Sequence, residues 1–131
     1  LNTVVAQRLV RKVHTQCIET YTPPTALVET IKHELQITGQ SDIIANIPKT
    51  FYKGKGCPTC GYTGYLGRMG VFEVLNVSEE VRKLIIDPNF NLDTLRHLAR
   101  NEGMTSMFED GLRKVERGET TIDELLRVIR E

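Results

Sequence analysis

A Cys-x-x-Cys motif in a glycine-rich stretch is the strongest constraint on how this 131-residue chain can fold. Cys57 and Cys60 lie in residues 54–75, which read GKGCPTCGYTGYLGRMGVFEVL and end as an apolar, strand-like segment. Two thiolates at this spacing can bind one metal ion from a tight turn. Glycine tolerates positive φ, so the neighbouring glycines allow the backbone to fold closely around an ion. The motif therefore indicates half of a tetrahedral metal site.

The candidate for the other half lies upstream, where His14 and Cys17 have His-x-x-Cys spacing. The interval between Cys17 and Cys57 is 39 residues, which is long for a compact zinc ribbon. Three cysteines and one histidine nevertheless form a known structural zinc set, with no open position for water or substrate. From spacing alone, His14 can equally be a polar residue that ends a helix, and Cys17 a buried apolar thiol. A redox role for Cys-x-x-Cys would require a thioredoxin-like βαβ pattern, which the sequence does not show.

Two amphipathic helices are predicted before the Cys-x-x-Cys motif. Residues 3–13 carry Val5, Leu9 and Val13 at helical spacing, so we expect a helix that ends near His14. The stretch TYTPPTALVETIKHELQI contains a Pro-Pro break and then Leu27, Ile31 and Leu35 at helical spacing, which predicts a second helix that begins near Thr22 or Pro23. Residues 38–50 are expected to be mostly loop. The segments TFYKG and YLGRMGVFEVLNV flank the cysteines and predict a hairpin with the cysteines in its turn.

Four short, well-punctuated helices are predicted after this hairpin. Their starts are marked by Ser78, by the segment that follows Pro88, and by the pairs Ser106–Glu109 and Thr121–Glu124 in capping-box spacing. We therefore expect an α+β fold that is predominantly helical, with a zinc-binding hairpin subdomain beside a small C-terminal helical bundle.

Composition and charge exclude several classes of protein. Lys plus Arg equals Asp plus Glu at 17 each, which disfavours a dedicated nucleic-acid binder. No apolar run reaches the roughly 18 residues that a spanning helix needs. No signal peptide pattern is present, so we expect a cytoplasmic protein without direct membrane insertion. The start at Leu1, without Met, suggests a piece of a longer protein.

Nucleotide-binding and hydrolase motifs are missing from these 131 residues. There is no GxxxxGK[ST] loop, no GxGxxG and no Gly-x-Ser-x-Gly. The residues alone therefore predict a metal-stabilised module without a catalytic site.

Three segments in this order resemble the C-terminal part of the type II secretion and type IV pilus assembly ATPases: VVAQRLVRKVHTQC, FYKGKGCPTCGYTGYLGRMGVFEVL and GMTSMFEDGLRKVERGETTIDELLRV. The specific features are the second cysteine motif with its trailing Thr-Gly-Tyr-x-Gly-Arg, and its order relative to AQRLVR. The family usually has cysteine where this chain has His14. The resemblance thus implies a Zn²⁺ site made by His14, Cys17, Cys57 and Cys60, or a member that kept the fold without the metal.

The family consists of RecA-like, hexameric motor ATPases of the bacterial cytoplasm that act beneath an inner-membrane platform. The resemblance implies that residues 1–16 are the C-terminal helix of the ATPase core, residues 14–75 a metal-binding subdomain with a helical insert, and residues 76–131 a C-terminal helical subdomain. ATP and Mg²⁺ would then bind only elsewhere in the parent homo-hexamer, and this chain would not hydrolyse ATP alone. Arg8 and Arg11 could face a neighbouring subunit or be solvated.

The resulting hypothesis is a structural and partner-docking module of a secretion or pilus-assembly motor, contacting the inner-membrane platform and other assembly proteins. The alternative is a zinc-ribbon nucleic-acid-binding module, for which Lys53, Lys55 and Arg68 could begin a basic patch. A chaperone zinc knuckle is disfavoured, because Tyr62 replaces a glycine of that pattern and only one Cys-x-x-Cys is present.

Overall fold

The computed structural model describes residues 2–130, and the chain is mixed α/β with two small sheets. The strands are β1 (Thr3–Val13), β2 (Ile18–Tyr21), β3 (Phe51–Gly54) and β4 (Tyr65–Asn76). The helices are α1 (Thr25–Ile37), α2 (Glu79–Ile85), α3 (Leu92–Asn101), α4 (Met107–Glu116) and α5 (Ile122–Ile129). Two 3₁₀ segments, Ser41–Asn46 and Pro58–Cys60, complete the secondary structure of these residues.

The helix predicted for residues 3–13, and with it the C-terminal helix of an ATPase core over residues 1–16, is wrong. This segment is β1, which pairs antiparallel with β4 from Thr3 opposite Asn76 to Val13 opposite Tyr65. A spacing of four residues is also a multiple of the two-residue period of a strand, so Val5, Leu9 and Val13 fit both structures. The segment forms a strand because β4 supplies a pairing partner and because the segment is rich in β-branched valine.

The predicted hairpin around the cysteines is also wrong in its pairing. The strands that flank the cysteines do not pair with each other: β3 pairs with β2, and β4 pairs with β1. The loop that carries Cys57 and Cys60 therefore connects two different sheets. Both sheets take their second strand from the first 21 residues of the chain, which places the His14–Cys17 segment beside this loop.

The predicted starts of three C-terminal helices are confirmed by their caps. The hydroxyls of Ser78, Ser106 and Thr121 accept the N–H groups of Val81, Glu109 and Glu124 at 3.1–3.2 Å. These bonds satisfy backbone donors that a helix leaves open at its first turn. The carboxylates of Glu109 and Glu124 bond arginines instead of completing a capping box.

The main apolar core lies between α1, β3, α4 and α5, with Phe51 fully buried. It is formed by Ile31, Leu35, Ile43, Phe51, Phe108, Leu112, Val115, Ile122, Leu125 and Leu126. A smaller cluster of Val10, Val71 and Val128 attaches the β1–β4 ribbon to α5. Residues before and after position 76 thus contribute to one core, and the division into a metal-binding and a helical subdomain stays a prediction. Within residues 2–130, no helix combines the length and apolar character needed to cross a membrane.

Candidate metal centre

All four residues predicted to bind metal meet at one place. His14 follows β1, Cys17 precedes β2, and Cys57 and Cys60 bracket the 3₁₀ turn between β3 and β4. Their ligand atoms all lie within 4.8 Å of one another. His14 and Cys60 are buried, whereas Cys17 and Cys57 are half-buried.

The distances between these ligand atoms fit the edges of a metal-centred tetrahedron. His14 Nδ1 lies 3.3 Å from Cys57 Sγ and 3.5 Å from Cys17 Sγ. Cys60 Sγ lies 3.7 Å from Cys57 Sγ and 4.0 Å from Cys17 Sγ. Two thiolates that bind one tetrahedral zinc at ~2.3 Å are about 3.8 Å apart. The arrangement can therefore hold one ion, and its sulfur and imidazole donors are those that zinc takes.

Backbone hydrogen bonds join the two ligand segments around the site. The N–H of His14 donates to the Gly64 carbonyl at 2.9 Å, and the N–H of Lys55 donates to the Cys17 carbonyl at 2.9 Å. Across the loop, the N–H of Tyr62 donates to the Cys57 carbonyl at 2.8 Å. These bonds position both ligand pairs even though their segments are far apart in sequence.

Two glycines allow the ends of the cysteine loop to cross at close range. A Cβ on Gly54 would lie 2.1 Å from the carbonyl oxygen of Gly64, which is far inside contact distance. Gly64 itself has φ +81°, a conformation that side chains disfavour. The glycines of the sequence motif thus serve the metal loop, as its composition predicts.

The surroundings of Cys60 favour its negatively charged thiolate form. Cys60 Sγ accepts the N–H of Gly64 at 3.3 Å and the N–H of Cys57 at 3.4 Å. Burial opposes the charge, but these backbone bonds, with the Cys57 and His14 side chains, lower the pKa of Cys60 from 9.0 to about 6. Burial raises the pKa of Cys17. Since a cysteine binds metal as its thiolate, these surroundings favour the form of Cys60 that a metal ion needs.

Sequence reasoning missed a buried ion-pair cluster around Glu124, at the strand ends that lead into the metal loop. Glu124 is only 2% exposed in its side chain, and it bonds Arg11 at 2.7 Å and Arg127 at 2.9 Å. The Arg11 guanidinium also stacks on Tyr65, at 4.2 Å from its ring centroid, and the Tyr65 hydroxyl lies 2.7 Å from the Thr121 hydroxyl. We call Arg11, Tyr65, Glu124 and Arg127 the Glu124 clasp.

The Glu124 clasp fixes α5 against the strand ends that lead into the metal loop. Burial disfavours the Glu124 carboxylate, but hydrogen bonds from Arg127 and Arg11 outweigh it and lower the pKa of Glu124 from 4.5 to about 2. Arg11 therefore contacts this chain's own α5, an arrangement that the two sequence-based alternatives, a neighbouring subunit or solvation, did not include. No sequence signal marks the pairing, because Arg11 and Glu124 are 113 positions apart.

Comparison with known proteins identifies the family. The family described as "Type II/IV secretion system protein" matches residues 1–127. The "Type IV pilus assembly ATPase PilB" of Thermus thermophilus is 37% identical over 94% of this chain. The "Type II secretion system protein E" of Pseudomonas aeruginosa is 37% identical over 98%, and the "Protein transport protein HofB homolog" of Escherichia coli is 35% identical over 98%.

The chain belongs to the type II/IV secretion system protein family, which confirms the resemblance drawn from its motifs. It spans only 13%, 23% and 25% of the length of these three relatives, respectively.

Proposed function

We propose that this chain is the C-terminal, metal-binding part of a secretion or pilus-assembly motor ATPase, with one structural Zn²⁺ held by His14, Cys17, Cys57 and Cys60. The observation that carries the proposal is the convergence of these four ligand atoms within 4.8 Å from two distant segments. All four coordination positions are supplied by protein, which is typical of structural and not catalytic zinc.

The proposed role of zinc is to stabilise the loop that links the two sheets. This loop consists largely of glycine, threonine and cysteine, so it has little apolar surface to bury. In such segments the free energy of metal binding contributes to the stability of the folded state. His14 in place of a fourth cysteine makes the site one unit less negative. It should also make metal retention more sensitive to acid, because imidazole binds metal only when neutral.

We further propose that the parent protein is a hexameric ATPase at the cytoplasmic face of the inner membrane, where the metal-binding part docks on platform and assembly proteins. The relatives named as pilus assembly and secretion proteins support this proposal. Here residues 14–75 form the metal-binding subdomain, residues 76–131 form the C-terminal helical part, and β1 follows the ATPase core. ATP and Mg²⁺ bind elsewhere in the parent, since these 131 residues have no phosphate loop, and the chain alone does not hydrolyse ATP.

The zinc proposal is tested by elemental analysis of the purified protein and two histidine variants. We expect one zinc per chain in the wild type and a marked loss in His14→Ala. His33→Ala is the matched control, because His33 is exposed on α1 and should leave zinc content unchanged. One zinc per chain in His14→Ala would show that His14 is not a ligand. A folded wild type without metal would contradict the proposed site.

A further inference from the structure

The two chain segments that carry the metal centre contain basic side chains and no acidic ones. We define the metal end as residues 11–18 and 53–68, which contain five Lys and Arg and no Asp or Glu. Arg11 is neutralised by Glu124, and Lys53 pairs with Glu19 at 3.7 Å. The other three cations, Lys12, Lys55 and Arg68, are exposed and have no ion pair among residues 2–130. One Zn²⁺ with three thiolates carries only −1, so the metal end stays positive when loaded.

Tyr62 stands on this metal end in a conformation that its side chain disfavours. It has φ +64°, and no other non-glycine residue among those the structure describes has positive φ. A left-handed backbone is unfavourable for a bulky residue and ordinary for glycine or asparagine. The Tyr62 side chain is 73% exposed, and within residues 2–130 it makes no hydrogen bond, ring contact or cation contact. Stability of the fold therefore does not explain a tyrosine at this position.

The loop holds the backbone of Tyr62 in place. The Tyr62 N–H bonds the carbonyl of the metal ligand Cys57, and the Tyr62 carbonyl lies against Gly56, where a Cβ would approach to 2.9 Å. Leu66, at the start of β4, adds a second apolar side chain that is 54% exposed. Exposed aromatic side chains on preorganised backbone, flanked by cations, are typical of binding anchors.

We infer that the metal end is a docking site for an acidic, partly apolar segment of a partner protein. Tyr62 and Leu66 would contact its apolar side chains, and Lys12, Lys55 and Arg68 would attract its carboxylates. The inference rests on the docking role proposed above and names the chemistry of the partner. Three uncompensated cations would neutralise only about three phosphates, which is few for a nucleic-acid site. They also fall below the ~4–8 basic residues of a lipid-binding cluster.

Photo-crosslinking in the native cell tests this inference with the full-length protein. A benzophenone amino acid at position 62 should crosslink one protein segment rich in Asp and Glu. The combined Lys55→Glu and Arg68→Glu reversal should lower the yield about tenfold. Lys83→Glu is the control, because α2 follows the opposite end of the β1–β4 ribbon. Crosslinks to nucleic acid or lipid alone, no crosslink, or equal loss with Lys83→Glu would overturn the inference.

The Tyr62→Asn variant separates a docking role from a structural one. Asparagine tolerates positive φ, so zinc content and thermal midpoint should not fall, while crosslinking from a benzophenone at position 66 drops about tenfold. Loss of zinc or of folding in Tyr62→Asn would make Tyr62 a structural residue and overturn the inference. A wild type without zinc would instead contradict the proposed metal site, so failure of the docking inference can be distinguished from failure of the metal site.

Discussion

The apolar core and the candidate metal centre lie in neighbouring parts of one small chain and should be stabilised by different physics. Around Phe51, ten buried apolar residues from helices, a strand and a 3₁₀ segment exclude water. Around Cys60, the loop has thiols, glycines and crossing backbone bonds, with no large buried apolar side chain between residues 54 and 64. The core should therefore tolerate chelators and mild acid, whereas the loop should depend on its ion.

Removal of the metal should have the largest effect, and it should be local. After chelation, the amides of His14, Lys55 and Tyr62 should lose most of their hydrogen-exchange protection, because the proposed ion would hold together the loop that their bonds cross. Amides in α4, which packs in the apolar core, should keep theirs. Exchange measured by mass spectrometry with and without chelator checks this. Uniform loss of protection would show that the two regions are one cooperative unit.

Truncation of a core side chain should destabilise the whole fold but leave the zinc content unchanged. Phe51 is fully buried, so Phe51→Ala should lower the free energy of unfolding by about 3–5 kcal/mol, as measured by urea denaturation. The purified variant should still contain zinc. Phe90→Ala is the control, since Phe90 is 38% exposed and its loss should cost about 1 kcal/mol or less. Loss of zinc in folded Phe51→Ala would contradict the separation of the two regions.

Two glycine substitutions should distinguish close approach from backbone conformation in the metal loop. Gly54→Ala forces a Cβ into the Gly64 backbone, so it should lower zinc affinity by more than about 30-fold, beyond the largest penalty expected at Gly61. Gly61→Ala meets no atom within 4 Å and only incurs the left-handed penalty of about 1–2 kcal/mol. Competition with a chromophoric chelator measures both affinities. Equal effects would mean that the crossing at Gly54 and Gly64 does not shape the site.

The Glu124 clasp should make a smaller contribution to the free energy of unfolding, one that depends on pH and not on the metal. The folded-state pKa of Glu124, about 2, lies below its ordinary value of 4.5. Its stabilisation is therefore complete above pH 4.5 and is lost as the pH falls toward 2. With both arginines half-exposed, we expect Glu124→Gln to cost about 2 kcal/mol at pH 7.

Urea denaturation of chelated wild type and Glu124→Gln from pH 7 downward measures this difference without a contribution from metal. The difference in free energy of unfolding between the two proteins should become smaller as the pH falls below about 4.5. Asp93→Asn, at an 86% exposed side chain, should change stability by about 0.5 kcal/mol or less. A gap that stays constant with pH would show that the charge of Glu124 does not stabilise the fold.

The sequence predicted the features that depend on local chemistry. Few residue types bind zinc, so His14, Cys17, Cys57 and Cys60 could be named from spacing and resemblance, and the structure brings them together. Helix starts at Ser106 and Thr121 were predicted because a hydroxyl cap is a local signal.

Features that depend on distant partners could not be predicted in the same way. The spacing of Val5, Leu9 and Val13 fits both a helix and a strand, and β4, which decides between them, begins at Tyr65. The pairing of β3 with β2 and the Glu124 clasp likewise join residues far apart in the chain.

X-ray absorption at the zinc edge of the purified protein tests the central claim most directly. The Cys₃His centre predicts one zinc per chain with three sulfur ligands at ~2.3 Å and one nitrogen ligand at ~2.0–2.1 Å. His14→Cys should convert this spectrum to four sulfur ligands and keep one zinc per chain. A wild type that is folded without zinc, or a zinc with fewer than three sulfur ligands, would contradict the account.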